Sequence, residues 1–299
     1  HGIKLGLETM RTLLSRLGNP ERRFRSLHIG GTNGKGSTAA MTAAMLQAAG
    51  YRVGLYTSPH LVDFRERIRV NQTMIAEAQV AELTERLQAS VPSGLTPTFF
   101  ELTTAMAFLH FAESGVDVAV LEVGLGGRFD ATNVVEPEAC AITTIALDHQ
   151  EHLGTTEEAI GFEKAGIIKA GVPVVVGRID GLPWDVIRKA AADRGAPLTR
   201  LGEDFRTAGT GPEEFSYCGR SRQLDGLTCA LAGRHQLDNA ACAVALLEAA
   251  EGSGISVPDG AVRRGLESVV WEGRLEVVGR GPVLLLDGAH NPAAAHVLA

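Results

Sequence analysis

Leu27-His28-Ile29-Gly30-Gly31-Thr32-Asn33-Gly34-Lys35-Gly36-Ser37-Thr38 leads from a short apolar stretch into a glycine-rich turn with one lysine, and then into an alanine-rich segment, residues 39–49. The apolar residues predict a buried parallel strand and the alanine-rich run predicts a helix. The glycines between them let backbone N–H groups approach an anion at the positive end of that helix. A triphosphate fits such a cradle. The spacing departs from the common phosphate loop, which has four residues between its first glycine and a Gly-Lys pair and then Ser or Thr directly. Here Gly31 and Gly34 are too close, and Gly36 separates Lys35 from Ser37. Taken alone, the stretch also admits a tight strand-to-helix turn with a solvated lysine.

Outward from this loop, residues 26–29, 52–56, 116–123, 139–146 and 172–176 are apolar and β-branched and predict strands, while 77–87, 100–113 and 156–168 carry helical spacing. Continuous apolar strands alternating with helices predict an α/β fold, a mostly parallel sheet flanked by helices, with ligands at the carboxyl ends of the strands. Residues 202–231 are short, polar and glycine-rich pieces, read as a hairpin or a small antiparallel annex. Helical spacing returns over 237–250 and 259–268. Gly279-Arg280-Gly281-Pro282 then punctuates the chain before an apolar strand, 283–286. We read a domain boundary there, with 1–278 as the ATP-binding domain and 279–299 as the beginning of a second domain. The chain opens on His1 and its last residues, 293–299, read as a helix cut in mid-course, so an incomplete chain is expected.

The 299 residues are 45% apolar, enough for a large core. Twenty-eight basic against 35 acidic residues give a formal charge of −7, without basic runs interleaved with aromatics, which argues against nucleic acid as a partner. Cys140, Cys218, Cys229 and Cys242 show no Cys-x-x-Cys spacing, so neither a zinc site nor a disulfide framework is expected and a reducing cytoplasm fits. No apolar run is long enough to cross a bilayer, and no export signal or membrane anchor is read.

Three further segments bring polar residues to strand ends. Leu121-Glu122-Val123-Gly124-Leu125-Gly126-Gly127-Arg128-Phe129-Asp130-Ala131-Thr132-Asn133 delivers a carboxylate from a buried strand, where a magnesium ion beside a phosphate offsets its desolvation. Alone, the segment also admits Glu122 paired with Arg128. Asp148-His149-Gln150-Glu151-His152-Leu153-Gly154 reaches the same sheet edge, with His149 as a metal ligand, a phosphate contact or a plain surface residue. Glu163-Lys164-Ala165-Gly166-Ile167-Ile168-Lys169 closes a helix, where Lys164 also admits a solvated position at the helix terminus.

With Gly2-Ile3-Lys4-Leu5-Gly6-Leu7, Thr57-Ser58-Pro59-His60-Leu61, Glu66-Arg67-Ile68, Phe99-Phe100-Glu101, Gly233-Arg234-His235-Gln236, Asn239-Ala240, Gly273-Arg274 and Asp287-Gly288-Ala289-His290-Asn291-Pro292, these motifs span almost the whole chain. Together they resemble the folate branch of the Mur-ligase superfamily, the folylpolyglutamate synthases and dihydrofolate synthases. The resemblance implies a P-loop NTPase-like Mur-ligase central domain, followed by the start of a Rossmann-like C-terminal domain. It implies ATP and Mg2+ as cofactors, with L-glutamate and a folate or dihydropteroate as small-molecule substrates and a monomer as the working unit. Position by position, it implies Gly31, Thr32, Asn33, Gly34, Lys35, Gly36, Ser37 and Thr38 as the phosphate cradle. Ser58, Glu122 and His149 become magnesium ligands, and Lys164 a carbamylated lysine holding a second magnesium. Asn239 lies near the adenine, Arg274 contacts phosphate, and Asp287 and His290 contact ribose and phosphate. Each of these last also has an ordinary reading, such as Asp287 capping a loop.

The implied reaction is ATP-dependent amide formation through an acyl phosphate. Phe64 and the Phe99-Phe100 pair offer aromatic surface for a pterin, although core packing is the simpler reading of Phe99 and Phe100. Two rivals use the same cradle, a phosphate-loop hydrolase or kinase and a non-catalytic ATP-binding module. Neither needs the Glu-Lys-Ala-Gly-Ile-Ile or Asp-Gly-Ala-His-Asn-Pro segments.

Overall fold

Arg25–Gly30 (β1), Val53–Tyr56 (β2), Ile68–Val70 (β3), Thr73–Met74 (β4), Val118–Glu122 (β5), Ala139–Ile142 (β6), Val174–Val176 (β7) and Leu198–Arg200 (β8) form one sheet in the order β4-β3-β2-β5-β1-β6-β7-β8. Strands β2, β5, β1, β6, β7 and β8 are parallel, and β3 and β4 add an antiparallel edge. The structure, a computed structural model, describes residues 6–298, so the Gly2 to Leu5 part of the first motif lies outside it. The helices are Glu8–Arg16 (α1), Lys35–Ala48 (α2), Glu77–Ser90 (α3), Phe99–Glu113 (α4), Gln150–Leu153 (α5), Glu157–Ala165 (α6), Gly181–Asp193 (α7), Gln236–Ala250 (α8), Asp259–Ser268 (α9) and Pro292–Leu298 (α10).

Strand alternation splits the core. Leu27, Ile29, Val118, Val120, Ala139 and Ala141 face α2, α8 and α9. Ala119 and Leu121 face α1, α3 and α4, while Cys140, Ile142, Val174 and Val176 face α6 and α7. The sheet is therefore covered on both faces, and its order reverses at β1, between β5 and β6. That reversal opens a crevice at the carboxyl ends of these three strands.

The sheet corrects several predicted limits. Residues 143–146 leave the ladder because their polar groups serve the glycine loop instead: Thr32 N–H donates to Thr144 O (2.7 Å), and Ala146 N–H donates to Thr32 Oγ1 (3.1 Å). Strands β3, β4 and β8 and helices α1 and α7 were not predicted. The three strands are only two or three residues long and half-exposed, too short for an alternation to register. The annex is a three-stranded antiparallel sheet, Arg206–Gly211 (β9), Glu214–Cys218 (β10) and Gln223–Leu227 (β11), which buries Phe215, Tyr217 and Leu224. Glu276–Arg280 (β12) and Val283–Leu286 (β13) pair as a separate hairpin, so Gly279 lies within a strand and the chain reverses at Gly281-Pro282.

Helix α2 is buried nearly all round, and its small residues let α9 approach closely. A Cβ on Gly265 of α9 would sit 2.5 Å from the Met45 backbone, whereas one on Gly260 would meet nothing nearer than the end of the Arg264 side chain at 3.4 Å. Gly265→Ala should therefore destabilise the protein by about 1–3 kcal/mol, and Gly260→Ala should be neutral or stabilising by up to about 1 kcal/mol. Urea unfolding of both variants checks this, and equal effects would show that the α2–α9 approach is not tight.

Candidate active site

The glycine loop is fixed from behind by the chain that follows β6. Asn33 N–H donates to Thr144 Oγ1 (3.0 Å), and Thr143 Oγ1 donates to Asn33 O (2.6 Å). Gly34 has φ +84°, and a Cβ there would collide with Asn239 Oδ1 of α8. The inserted Gly36 has its own cause, since a Cβ would lie 3.0 Å from the Trp271 indole, which packs on the first turn of α2. The Lys35 ammonium donates back to Thr32 O (3.0 Å).

Glu122 ends β5 and is buried. Its Oε2 accepts from the backbone N–H of Ser58, which follows β2 (3.1 Å). Arg128 does not pair with it; that guanidinium meets Glu163 at 3.2 Å and lies over the Phe129 and Phe162 rings. Lys164 is not at a solvated helix terminus. It is 4% exposed, and its Nζ donates to Gly31 O at 2.8 Å, directly beneath the loop. Residues 31–37, Ser58, Glu122, His149, Lys164, Asn239, Arg274, Asp287 and His290 line one cavity of about 430 Å³. Thr38 does not line it, being fully buried in the body of α2.

Within this cavity the groups divide. Ser58 and Glu122 adjoin, and His149 stands with Asp148 and His290, the three offering donor atoms within 4.8 Å of one another. Asp287 acts as a loop cap, its carboxylate accepting from Leu275 N–H (2.9 Å) and Ala289 N–H (2.7 Å). Of the aromatic residues, Phe100 packs into the core beside Tyr56, but Phe99 is 61% exposed, with Phe64 edge-on at 6.1 Å and Arg67 over its ring, which corrects the core reading for Phe99.

The chain as a whole is similar to known proteins. Residues 29–247 match the Mur ligase middle domain. A Bacillus subtilis dihydrofolate synthase/folylpolyglutamate synthase is 42% identical over 313 aligned residues, covering 100% of this chain and 72% of that protein. The chain belongs to this family, the folate branch of the Mur ligases. The crystal structure of a Thermotoga maritima folylpolyglutamate synthase superposes with a TM-score of 0.91 at 42% identity, over 99% of this chain and 70% of that one. A bifunctional folylpolyglutamate synthase/dihydrofolate synthase solved with Mn, AMPPNP and L-glutamate bound superposes at 0.90 and 38% identity, over 99% and 70%.

Burial dominates the electrostatics of this family member's cavity. It raises the Glu122 carboxyl, opposed by Lys35, the Ser58 N–H and Arg274, and it lowers the Lys35 ammonium, opposed by Glu122 and Asp148. Lys164 is pushed down to about 7 by burial and then by Lys35, with Asp148 and Asp130 pulling the other way. Asp130 is a residue that the sequence reading quoted without a role. Its carboxylate accepts from Leu125 N–H (2.9 Å) and from Thr132 N–H and Oγ1, anchoring the loop after Glu122. Asp148 and Asn291 were likewise within motifs but unassigned, and Trp271 carried no local signal.

The Lys164 shift has a stability consequence. Its pKa is lower folded than unfolded, so the unfolded chain binds more protons between these values and stability rises with pH in that window. The wild type, compared with Lys164→Met, should gain stability as pH rises from about 7 toward about 10. Urea unfolding of both proteins at intervals across the window reads the difference; a flat difference would mean that Lys164 is not desolvated.

Proposed function

We propose that this chain is an ATP-dependent carboxylate–amine ligase that joins L-glutamate to the carboxylate of a folate or dihydropteroate. The observation that carries the reading is Lys164: a buried amine with its pKa near 7, 2.8 Å from the loop carbonyl of Gly31 and in one cavity with Lys35 and Glu122. A hydrolase or a binding module has no use for an amine whose proton is lost this readily beside the phosphate loop.

The loop amides and Lys35 would hold the γ-phosphate of ATP while the substrate carboxylate oxygen attacks phosphorus and ADP leaves. The glutamate amine then attacks the acyl carbon and phosphate departs. Ser58 and Glu122 fit a hard divalent cation, a buried carboxylate beside a phosphate cradle, and His149, which lines the same cavity, completes the proposed ligand set. When bound, magnesium supplies charge neutralisation at the phosphate oxygens. Neutral Lys164 adds to CO2 and loses a proton, becoming a carbamate anion suited to a second magnesium. Asn239 would face the adenine, and Arg274, Asp287 and His290 the phosphates and ribose.

A monomer is the proposed working unit. Small molecules are the proposed partners, and the cytoplasm the proposed compartment, supported by four free cysteines. Among the described residues no helix is long and apolar enough to cross a membrane. We keep residues 1–278 and 279–299 as two proposed domains, although that boundary falls inside β12 of the β12–β13 hairpin.

ADP release by the full-length protein with ATP and magnesium should require both L-glutamate and an acceptor, dihydropteroate or tetrahydrofolate. Release indifferent to both would instead identify a hydrolase, and none at all a silent binding module. Lys164→Ala should lower turnover by roughly 10²–10³-fold, with partial recovery on adding a short carboxylate such as acetate. A variant as active as wild type would remove the carbamate from the mechanism.

A further inference from the structure

We propose that Asp148, His149 and His290 form a binding site for a divalent transition-metal cation of the zinc class. This set shares His149 with the proposed magnesium ligands, so that imidazole serves one ion or the other, and it takes Asp148 and His290 in place of Ser58 and Glu122; the inference does not rest on the ligase reading. His290 states the case most directly. Its Nδ1 lies 2.8 Å from Gly288 O, and a carbonyl can only accept, so the proton of the neutral ring sits on Nδ1 and Nε2 carries the lone pair. A backbone carbonyl holding one ring nitrogen is the arrangement that orients a metal-ligating imidazole.

That nitrogen lies near another acceptor. His290 Nε2 is 3.8 Å from Asp148 Oδ2, and His149 Nε2 is 3.9 Å from Asp148 Oδ1. The carboxylate is held from behind, Oδ1 accepting the His149 N–H (2.9 Å) and Oδ2 accepting Asn291 Nδ2 (3.0 Å). The three side chains thus bring a carboxylate and two imidazole nitrogens together around one point, where a cation satisfies all three.

The donor set selects the kind of cation. Two imidazoles and one carboxylate suit zinc, cobalt, nickel or manganese, whereas magnesium prefers oxygen donors in a near-octahedral shell. Zinc bonds of about 2.0–2.2 Å place tetrahedral donors roughly 3.3–3.6 Å apart, so donor atoms that lie within 4.8 Å of one another close by up to about 1.5 Å around the ion, a movement open to the two exposed imidazoles. The His149 and His290 side chains are 51% and 68% exposed, which leaves an entry path and room for a water as fourth ligand. A bound ion would tie the segment preceding α10 to the loop after β6.

Isothermal titration of the metal-stripped, nucleotide-free full-length protein with zinc, in excess magnesium, tests the site without reference to any ligase activity. One zinc per chain should bind, and His290→Ala and Asp148→Asn should each weaken it by about tenfold or more. His296→Ala, on α10 outside the group, should bind as wild type. Melting in EDTA establishes that each variant is folded, and zinc should raise the melting temperature of the wild type but not that of His290→Ala. Zinc binding unaltered in both cluster variants, or no wild-type site tighter than roughly 100 μM, would overturn the proposal.

Discussion

The hydrogen bond from Lys164 to the Gly31 carbonyl is the constraint around which the cavity is arranged. An amine with almost no solvent contact carries its proton at a large desolvation cost, and the carbonyl is its hydrogen-bond partner among the described residues. The fold tolerates this because α6 ends under the crevice at β1, where the loop carbonyl is free of the sheet ladder. The loop after Glu122 is bound into the same arrangement. A Cβ on Gly127 would stand 2.8 Å from Glu163 O and 3.0 Å from Lys164 O, so this loop lies directly on the helix end that carries the lysine. The separation of the buried acid and the buried amine is therefore set by backbone packing, which leaves little room for side-chain adjustment.

Much of this was legible in the sequence, for identifiable reasons. Parallel strands buried on both faces are continuous apolar runs, so β1, β2, β5, β6 and β7 were found, and the glycine loop announced the start of α2. Their ends were less legible, because whether Thr143 and Thr144 extend β6 or bind the glycine loop depends on Asn33, more than a hundred residues earlier. The contrast between Phe99 and Phe100 has the same character. Adjacent residues at a helix start face different environments, and Gly124, which leaves space for the Phe100 ring, lets that one pack against the core.

The site residues divide along a similar line. Motif residues such as Lys35, Glu122 and Lys164 converge on one cavity, as their places after strands and beneath the loop require. Their ionisation could not be read from order along the chain, because it depends on burial and on partners brought in from elsewhere. Trp271 shows the reverse case. No local pattern marks it, yet its indole accounts for the glycine that separates Lys35 from Ser37 and so for the departure from the common phosphate loop.

Asn291 shows how the distant end of the chain enters this arrangement. Its Oδ1 accepts the Ala294 N–H (2.9 Å) at the start of α10 and its Nδ2 donates to Asp148 (3.0 Å), which fixes the orientation of the amide. The orientation of Asn33 follows, since the two amides exchange hydrogen bonds of 3.2 and 3.0 Å. One side chain thus joins the phosphate loop, the loop after β6 and the segment that begins α10. Any movement of that last segment must break bonds to the phosphate loop itself, so the position of residues 287–298 and the geometry of the cradle are parts of a single equilibrium.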